Sequence, residues 1–407
     1  MFASQSKRGL TFNDIIFINN AQARDRSRSA GAGAVVNGTI GALLDESGEL
    51  VTFEAVDRIH GALDVRAQSP YAPMGGYPAF LEAAEAYCFG ESRPSLPLRG
   101  VAVSGGLAGI HHAILNYTEP GDFILTTDWH WGPYQSIADE TGRKLKTFPL
   151  LASGGPDWAR FEETMKELAC EQHNIFLLMN TPAHNPTGYS FTDGEFAQML
   201  SLCNKLEHPV VLFLDVAYIE YASPERKNIF RLLDRLSGNT LTLVDYSISK
   251  GFAKYGLRTA ALFALHRDKE VLEEFVQIML LSNRGTYGSV SSTGQLLLEA
   301  LYKKKSLSDS YTEELQQWRH LLAGRAKIFF DTLHPGLAMP YRDGFFAAVA
   351  SSDPFGVCER LKEEDIFLVP LNKGIRVALC SLSGKQSRRV AEALNRLAEK
   401  ENLSDDL

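Results

Sequence analysis

The stretch VDYSISKGFAKYGLR (residues 244–258) decides the fold, because it joins a buried strand to a group of polar and basic side chains. The apolar run LTLV that leads into it is typical of a strand buried on both faces. Ser247 and Ser249 end the strand, Lys250 follows, and Arg258 comes eight residues later. In open α/β sheets ligands bind at such strand ends. The stretch therefore predicts both a buried parallel strand and a binding site.

Further apolar runs indicate how the rest of the sheet is built. RGVAVS, DFILTT, NIFLLMN and PVVLFLD alternate with amphipathic stretches such as AGIHHAILNY, which predicts an α/β layer architecture. After about residue 310, long charged helical stretches and the short strands FFAAVAS, IFLVP and IRVALC predict a separate α+β unit. We therefore expect a large domain over residues 46–310. Residues 1–45, which look loop-rich, and 311–407 would form an N-terminal arm and a small domain.

Composition excludes several classes of protein. The 407 residues are 45% hydrophobic and 22% charged, which is ordinary for a soluble globular protein. A net charge of -8 argues against nucleic-acid binding. No stretch reaches the roughly 18 apolar residues of a membrane span, and no apolar leader is visible. Five widely spaced cysteines without C-x-x-C predict reduced, buried thiols in the cytoplasm, and the histidines show no metal-ligand spacing.

Three loops that follow predicted strands carry candidate ligand-binding groups. Gly105 and Gly106 follow RGVAVS, and such a turn either binds an anion through its N–H groups or serves packing alone. Trp131 follows DFILTT, where an aromatic ring either stacks on a flat ligand or joins the core. Asn185 lies in a Pro- and Gly-rich loop, as a turn former or as a hydrogen-bond donor to a ligand.

Two charged residues at strand ends complete the pattern. Asp215 ends PVVLFLD and needs a partner, either a salt bridge or a cationic ring nitrogen, because a desolvated carboxylate is costly. Lys250 is either a surface residue or a desolvated amine ready to form a Schiff base. An anion-binding turn with serines and an arginine, an aromatic ring, an aspartate and a lysine together meet the needs of pyridoxal 5'-phosphate.

The motifs also resemble those of a known family. They are HNPTG (residues 184–188), D-x-A-Y (215–218), S-x-S-K (247–250) with Arg258 after it, and IRVAL (375–379). In this order they resemble the class I/II aminotransferases, specifically the aspartate and aromatic aminotransferase branch. The resemblance implies fold type I of the PLP-dependent transferases. That fold has a large domain with a mostly parallel central sheet flanked by helices, plus a smaller α+β domain.

The resemblance implies a role for each matching residue. Lys250 matches the lysine that binds the cofactor aldehyde and moves the substrate proton, Asp215 matches the partner of the ring nitrogen, and Tyr218 joins them as a catalytic residue. Asp215, Tyr218 and Lys250 also count among the cofactor-binding matches, whose other members are Gly105, Gly106, Leu107, Trp131, Asn185, Ser247, Ser249, Arg258 and Tyr71. The substrate-binding matches are Gly41, Trp131, Asn185, Arg284 and Arg376, of which Arg376 corresponds to the arginine that binds the α-carboxylate. No metal is implied.

Two of these matches imply a homodimer. Tyr71 matches a tyrosine that reaches the phosphate in the neighbouring subunit, and Arg284 matches an arginine that reads a distal carboxylate across the dimer. An ion pair with an acidic residue such as Glu220 is the alternative for Arg284.

Three residues depart from the family pattern. Leu107 replaces a hydroxyl donor to the phosphate, and Tyr134 and Asn180 stand where histidines are common. Because these changes surround the cofactor and substrate, they bear on substrate identity more than on the type of chemistry.

The implied function is ping-pong transfer of an amino group. The donor would be an aspartate-like or aromatic L-amino acid and the acceptor a 2-oxo acid such as 2-oxoglutarate. A PLP-dependent carbon–sulfur β-lyase and a non-catalytic PLP-binding sensor are the alternatives. Arg284 and Arg376 favour transamination with a dicarboxylate, and the sequence shows no added DNA-binding segment of the kind that sensors carry.

Overall fold

The computed structural model describes residues 2, 4, 7–9, 11, 14–31, 33–152 and 154–404. The strands are β1 (Val36–Asn37), β2 (Leu98–Val103), β3 (Phe123–Thr127), β4 (Lys144–Phe148), β5 (Ile175–Asn180), β6 (Val210–Asp215), β7 (Thr240–Ser247), β8 (Ala260–Leu265), β9 (Phe346–Ala350), β10 (Ile366–Phe367), β11 (Val369–Leu371) and β12 (Gly374–Ala378). The α-helices are α1 (Ile15–Ala30), α2 (Glu54–Gly61), α3 (Val65–Gln68), α4 (Pro78–Phe89), α5 (Gly106–Tyr117), α6 (Pro133–Thr141), α7 (Trp158–Glu171), α8 (Asp193–Lys205), α9 (Ile229–Leu232), α10 (Ile248–Gly251), α11 (Lys269–Thr286), α12 (Ser292–Lys303), α13 (Lys305–Thr332), α14 (Pro354–Glu363) and α15 (Gly384–Ser404). Short 3-10 turns lie at Gly90–Ser92, Ile219–Tyr221, Pro224–Asn228, Leu233–Arg235, Tyr255–Leu257, Pro335–Leu337 and Leu379–Ser381.

A seven-stranded sheet forms the centre of the larger unit. Its strand order is β2-β8-β7-β6-β5-β3-β4, and β8 runs in the opposite direction to the other six strands. Every residue of β5, β6 and β7 is buried, as the continuous apolar runs predict for strands covered on both faces. The predicted mostly parallel central sheet with flanking helices is confirmed.

The chain divides into two compact units. The larger holds residues 52–182 and 190–315, and the smaller holds residues 1–51, 183–189 and 316–407. The sequence placed these boundaries after residues 45 and 310 and gave no sign that the short segment 183–189 belongs with the chain ends.

Each unit has its own apolar core. In the larger unit, α5, α6 and α11 cover one face of the sheet with buried side chains such as Ile114, Ile137 and Phe275. In the smaller unit, a three-stranded antiparallel sheet of order β11-β12-β9 packs with side chains such as Phe329 and Leu394 from α13 and α15. β1 pairs separately with β10 in parallel.

Some local expectations were wrong. The first 45 residues are not loop-rich, since α1 spans Ile15–Ala30 with Asp14 accepting hydrogen bonds from the first-turn N–H groups; several of these residues lie outside the described ranges. IFLVP forms two short strands, β10 and β11, rather than one. The five cysteines are free thiols, but Cys170 is exposed, unlike the other four. No described helix is long and apolar enough to cross a membrane.

Candidate active site

A row of polar side chains crosses three neighbouring strands of the larger unit. Asn180 on β5 pairs with Asp215 on β6, which pairs in turn with Asp245 on β7. Side chains of paired residues in parallel strands point to the same face of the sheet. The ends of these strands therefore place an amide and two carboxyl groups side by side in a buried setting.

Asp215 is held by hydrogen bonds from three sides. The Tyr134 hydroxyl donates to its Oδ2 at 2.6 Å, and the Ala217 N–H donates to its Oδ1 at 3.1 Å. The Asn180 side chain donates to its backbone carbonyl at 2.9 Å. Burial raises the pKa of Asp215, while the Tyr134 hydroxyl, the Ala217 N–H and the charge of Lys250 oppose that rise. Tyr134, which stands where a histidine is common, therefore still provides a hydrogen-bond donor to Asp215, and this donor is an uncharged hydroxyl.

Lys250 lies on the single turn of α10, directly after β7. Ser247 caps that turn by accepting a hydrogen bond from the Ser249 N–H at 3.2 Å. From behind, the Tyr221 hydroxyl donates to the Lys250 carbonyl at 3.2 Å. The Lys250 Nζ lies 5.9 Å from the ring centre of Tyr218 and 4.8 Å from that of Tyr255. The amine therefore lies near two aromatic rings on a partly buried residue whose backbone is held by hydrogen bonds.

The glycine turn before α5 fits a phosphate group. Gly105 has φ +81°, and a Cβ at this position would lie 2.5 Å from Nη2 of Arg258, so a side chain would displace the guanidinium. The Arg258 Nη1 donates to the Ser249 hydroxyl at 3.1 Å, and the Ser247 hydroxyl lies 3.1 Å from the same oxygen. A phosphate dianion requires several hydrogen-bond donors. The turn offers them as the glycine backbone at the N-terminus of α5, the two serine hydroxyls and the guanidinium of Arg258.

The remaining predicted residues of the larger unit have differing environments. Leu107 is 40% exposed in the first turn of α5. Trp131 is partly buried and stands edge-on to Tyr134, with ring centres 5.7 Å apart. Tyr71 is 95% exposed and Arg284 is exposed near the end of α11, and neither side chain forms a hydrogen bond or ion pair within the described residues. Both side chains are thus accessible to a partner molecule.

The suggested ion pair between Arg284 and Glu220 is wrong. Glu220 is buried, accepts a hydrogen bond from the Tyr246 hydroxyl at 2.9 Å and pairs with Lys227 at 3.4 Å.

The smaller unit holds the predicted carboxylate-binding residue. Arg376 is the middle residue of β12, is 3% exposed, and lies over the Phe346 ring at 4.7 Å. Its Nη1 donates to Asn185 Oδ1 at 3.3 Å, and its Nη2 donates to the Thr39 carbonyl. Gly41 is partly buried in the same unit, two residues from Thr39. The structure therefore brings Arg376 and Asn185 together and fixes the guanidinium in one orientation.

Asp245 was not recognised as a candidate from the sequence. It is 1% exposed, and its Oδ1 has no hydrogen-bond partner within the described residues. Burial raises the pKa of Asp245 well above its ordinary value, the neighbouring charge of Asp215 adds to the rise, and Arg258 opposes it. An acidic residue inside the apolar run LTLVDYS was the available signal, because such a position is buried on both faces of the strand.

Comparison with known proteins identifies the family. The sequence profile described as "Aminotransferase class I and II" matches residues 34–394. The chain belongs to this family. The predicted resemblance to class I/II aminotransferases is thereby confirmed.

Individual relatives agree with this assignment. The aromatic-amino-acid aminotransferase of Escherichia coli is 25% identical over 373 residues, covering 88% of this chain and 92% of that protein. The crystal structure of an aminotransferase from Anaerococcus prevotii has a TM-score of 0.94 and 28% identity, and the match covers 98% of this chain and 99% of the other. The aromatic-amino-acid aminotransferase of Burkholderia pseudomallei, described as covalently bound to pyridoxal phosphate, has a TM-score of 0.77 and 21% identity over 97% of this chain and 99% of that one.

The family depends on pyridoxal 5'-phosphate, and the protein is a PLP-dependent aminotransferase of fold type I. The relatives named as aminotransferases favour transamination over the β-lyase alternative. The glycine turn, the buried carboxylate of Asp215 and the amine of Lys250 beside two aromatic rings fit this cofactor.

Proposed function

We propose that the protein transfers the amino group of an aspartate-like or aromatic L-amino acid to a 2-oxo acid such as 2-oxoglutarate. The relatives named as aspartate and aromatic-amino-acid aminotransferases support these substrate classes. The observation that carries the proposal is the environment of Asp215, a buried carboxylate held by the Tyr134 hydroxyl at 2.6 Å at the end of β6. A carboxylate prepared in this way suits a cationic ring nitrogen.

Most of the residues proposed to hold the cofactor belong to the larger unit, and Asn185 belongs to the smaller one. Asp215 would bind the ring nitrogen and Tyr218 the ring hydroxyl oxygen. When bound, pyridoxal phosphate supplies an aldehyde and a protonated ring that withdraws electrons from the substrate Cα. The groups proposed for the phosphate are Gly105, Gly106, Leu107 through its backbone, Ser247, Ser249 and Arg258, with Tyr71 contributed by a second copy of the chain. Trp131 would stack on the cofactor ring, and Asn185 would donate a hydrogen bond to the ring hydroxyl oxygen.

Lys250 is proposed as the acid–base residue. Its Nζ would accept the proton that leaves the Cα of the donor amino acid and deliver it to the cofactor, and in the second half-reaction it would move a proton to the Cα of the newly formed amino acid. Its Nζ lies 4.8 and 5.9 Å from the ring centres of Tyr255 and Tyr218, and its backbone is held at the end of β7, so the amine is positioned for proton transfer.

Substrate binding is proposed for two arginines. Arg376 would bind the α-carboxylate, since its planar fork matches a carboxylate and its orientation is fixed by Asn185 and Thr39. Arg284 would bind the distal carboxylate of an acidic substrate in a partner's site, and Gly41 would lie close to the substrate. The exposed side chains of Arg284 and Tyr71 support the proposed homodimer, and the free thiols support a cytoplasmic location.

A half-reaction titration tests the proposal. Single amino acids are added to the purified holoenzyme, and the absorbance of the bound cofactor is followed as it changes to the pyridoxamine form. We expect conversion with aspartate or glutamate and with aromatic donors. Arg284→Gln should slow the acidic donors alone. Arg99→Gln removes an exposed arginine of the same unit that pairs with Glu273, and it should change neither class.

Three outcomes would contradict parts of the proposal. Conversion with aromatic or neutral donors only would remove the role of Arg284. Pyruvate and ammonia released from cysteine without cofactor conversion would indicate a β-lyase. Turnover retained in Lys250→Ala would overturn the assignment of the acid–base residue.

A further inference from the structure

Asp245 is a buried carboxyl group next to the proposed phosphate turn, and the reaction outlined above gives it no role. Its Oδ2 lies 2.7 Å from the position that a Cβ on Gly106 would take, and its Oδ1 lies 3.0 Å from the corresponding position on Gly109. The carboxyl group therefore fills the space beneath the first turn of α5. The two glycines are required there because the Asp245 side chain occupies the volume that their side chains would need.

Asp245 and Asp215 are direct cross-strand neighbours. They are paired in register on adjacent parallel strands, which lie about 4.8 Å apart in such sheets. Both are almost completely buried, at 1% and 5% exposure. Two buried carboxylates at this spacing repel each other strongly, so one member of the pair keeps a proton at neutral pH.

The hydrogen bonds decide which member carries the charge. Asp215 accepts bonds from the Tyr134 hydroxyl and the Ala217 N–H, and these bonds favour its ionised form. Asp245 has no such donors, since its Oδ1 has no hydrogen-bond partner in the described part of the chain. Arg258 and the N-terminus of α5 favour a negative charge on Asp245, but neither donates a hydrogen bond to it within the described residues, since the Arg258 Nη1 donates to the Ser249 hydroxyl instead. Both groups also belong to the proposed phosphate site. A phosphate dianion bound there competes for both.

We propose that Asp245 is a positioning residue that carries a proton. As a neutral carboxylic acid it supports the turn at Gly106 and Gly109, and it leaves Asp215 as the single negative charge of the pair. The inference rests on the proposed cofactor site. A neutral Asp245 adds no further negative charge to a site that already holds the Asp215 carboxylate and the proposed phosphate.

Infrared difference spectroscopy tests the proton directly. Spectra of the full chain without cofactor are recorded at neutral pH, and the Asp245→Asn spectrum is subtracted from that of the unchanged protein. We expect the carbonyl band of a protonated carboxylic acid, and for Asp215→Asn, the matched control, the bands of an ionised carboxylate. Carboxylate bands in the Asp245→Asn difference would overturn the proposal. This measurement needs no cofactor, so it stands even if Lys250→Ala retains turnover and the proposed function fails.

Cofactor affinity tests the positioning role. Asp245→Asn keeps the shape and the neutral state, so its dissociation constant for pyridoxal phosphate should stay within about threefold of the unchanged value. Asp245→Ala empties the space beneath the turn and should weaken binding about tenfold or more. Binding about tenfold tighter in Asp245→Asn would show that a repelling charge had been removed, and it would overturn the neutral state. Unchanged affinity in Asp245→Ala would overturn the positioning role.

Discussion

Tyr134→Phe should shift the acid limb of the pH–rate profile toward higher pH. The Tyr134 hydroxyl donates to Asp215 Oδ2 at 2.6 Å, and both side chains are buried, so no water replaces the lost donor. A hydrogen bond to a charged group contributes about 1.5–3 kcal/mol, and 1.36 kcal/mol corresponds to about one pH unit. The bond favours the ionised form of Asp215, so its loss raises the pKa of Asp215. Activity that requires ionised Asp215 then begins about one to two pH units higher.

The assay is kcat/KM of the cofactor-saturated enzyme as a function of pH. Tyr246→Phe is the matched control, because its buried hydroxyl donates to the buried carboxylate of Glu220 at 2.9 Å. This variant should lose comparable stability while its acid limb stays in place. An unshifted acid limb in Tyr134→Phe, with the plateau rate preserved, would refute the idea that Tyr134 controls the charge of Asp215.

Two further substitutions test the substrate and phosphate groups. Arg376→Lys removes the planar guanidinium that can form two parallel hydrogen bonds to a carboxylate, so it should lower kcat/KM for amino acids about 10- to 100-fold. Arg325→Lys is the control at another buried arginine of the smaller unit, and it should leave steady-state kinetics unchanged. Gly105→Ala places a Cβ 2.5 Å from Arg258 Nη2 at φ +81°, so the dissociation constant for pyridoxal phosphate should rise about tenfold or more, measured by fluorescence titration. Gly324→Ala is the control, because a Cβ at this position inside α13 meets open space; it should leave the dissociation constant unchanged and raise the melting temperature slightly. Equal effects of the two glycine substitutions on the dissociation constant would contradict the proposed phosphate site at Gly105.

The sequence was sufficient for the central sheet because its strands are continuous apolar runs. β5, β6 and β7 are buried throughout, and short continuous apolar runs bounded by polar or turn residues are typical of strands covered on both faces. α1 was missed for the opposite reason, since only Asn19 and Ala23 are buried in its sixteen residues and the apolar period is too weak to read. IFLVP is divided into β10 and β11 because β10 pairs with β1 and β11 pairs with β12, and the local sequence does not indicate these partners.

The sequence indicates candidate residues where a side chain of suitable chemistry stands at or just after a strand end, as with Asp215, Lys250 and Arg258, whose roles are proposals. It does not indicate contacts between distant parts of the chain. The bond from Arg376 to the Thr39 carbonyl joins residues 337 positions apart. Asp245 lies in the stretch 244–258, yet the role proposed for it depends on its register against Asp215. A local sequence pattern indicates which residues are buried, but it does not indicate which residue of a neighbouring strand each one is paired with.

The row formed by Asn180, Asp215 and Asp245 makes the enzyme intolerant of insertions in particular places. Adding one residue within β6 would turn every later side chain of that strand to the opposite face, so Asp215 would leave the side of the sheet on which the cofactor is proposed to bind while the strand stayed equally apolar. An insertion in the turn after α8 would leave the row intact. A library of single-residue insertions should therefore show loss of cofactor binding inside β5, β6 and β7 even in variants that remain folded and abundant. Pyridoxal phosphate would then act as a reporter of strand register, a property that stability measurements do not detect.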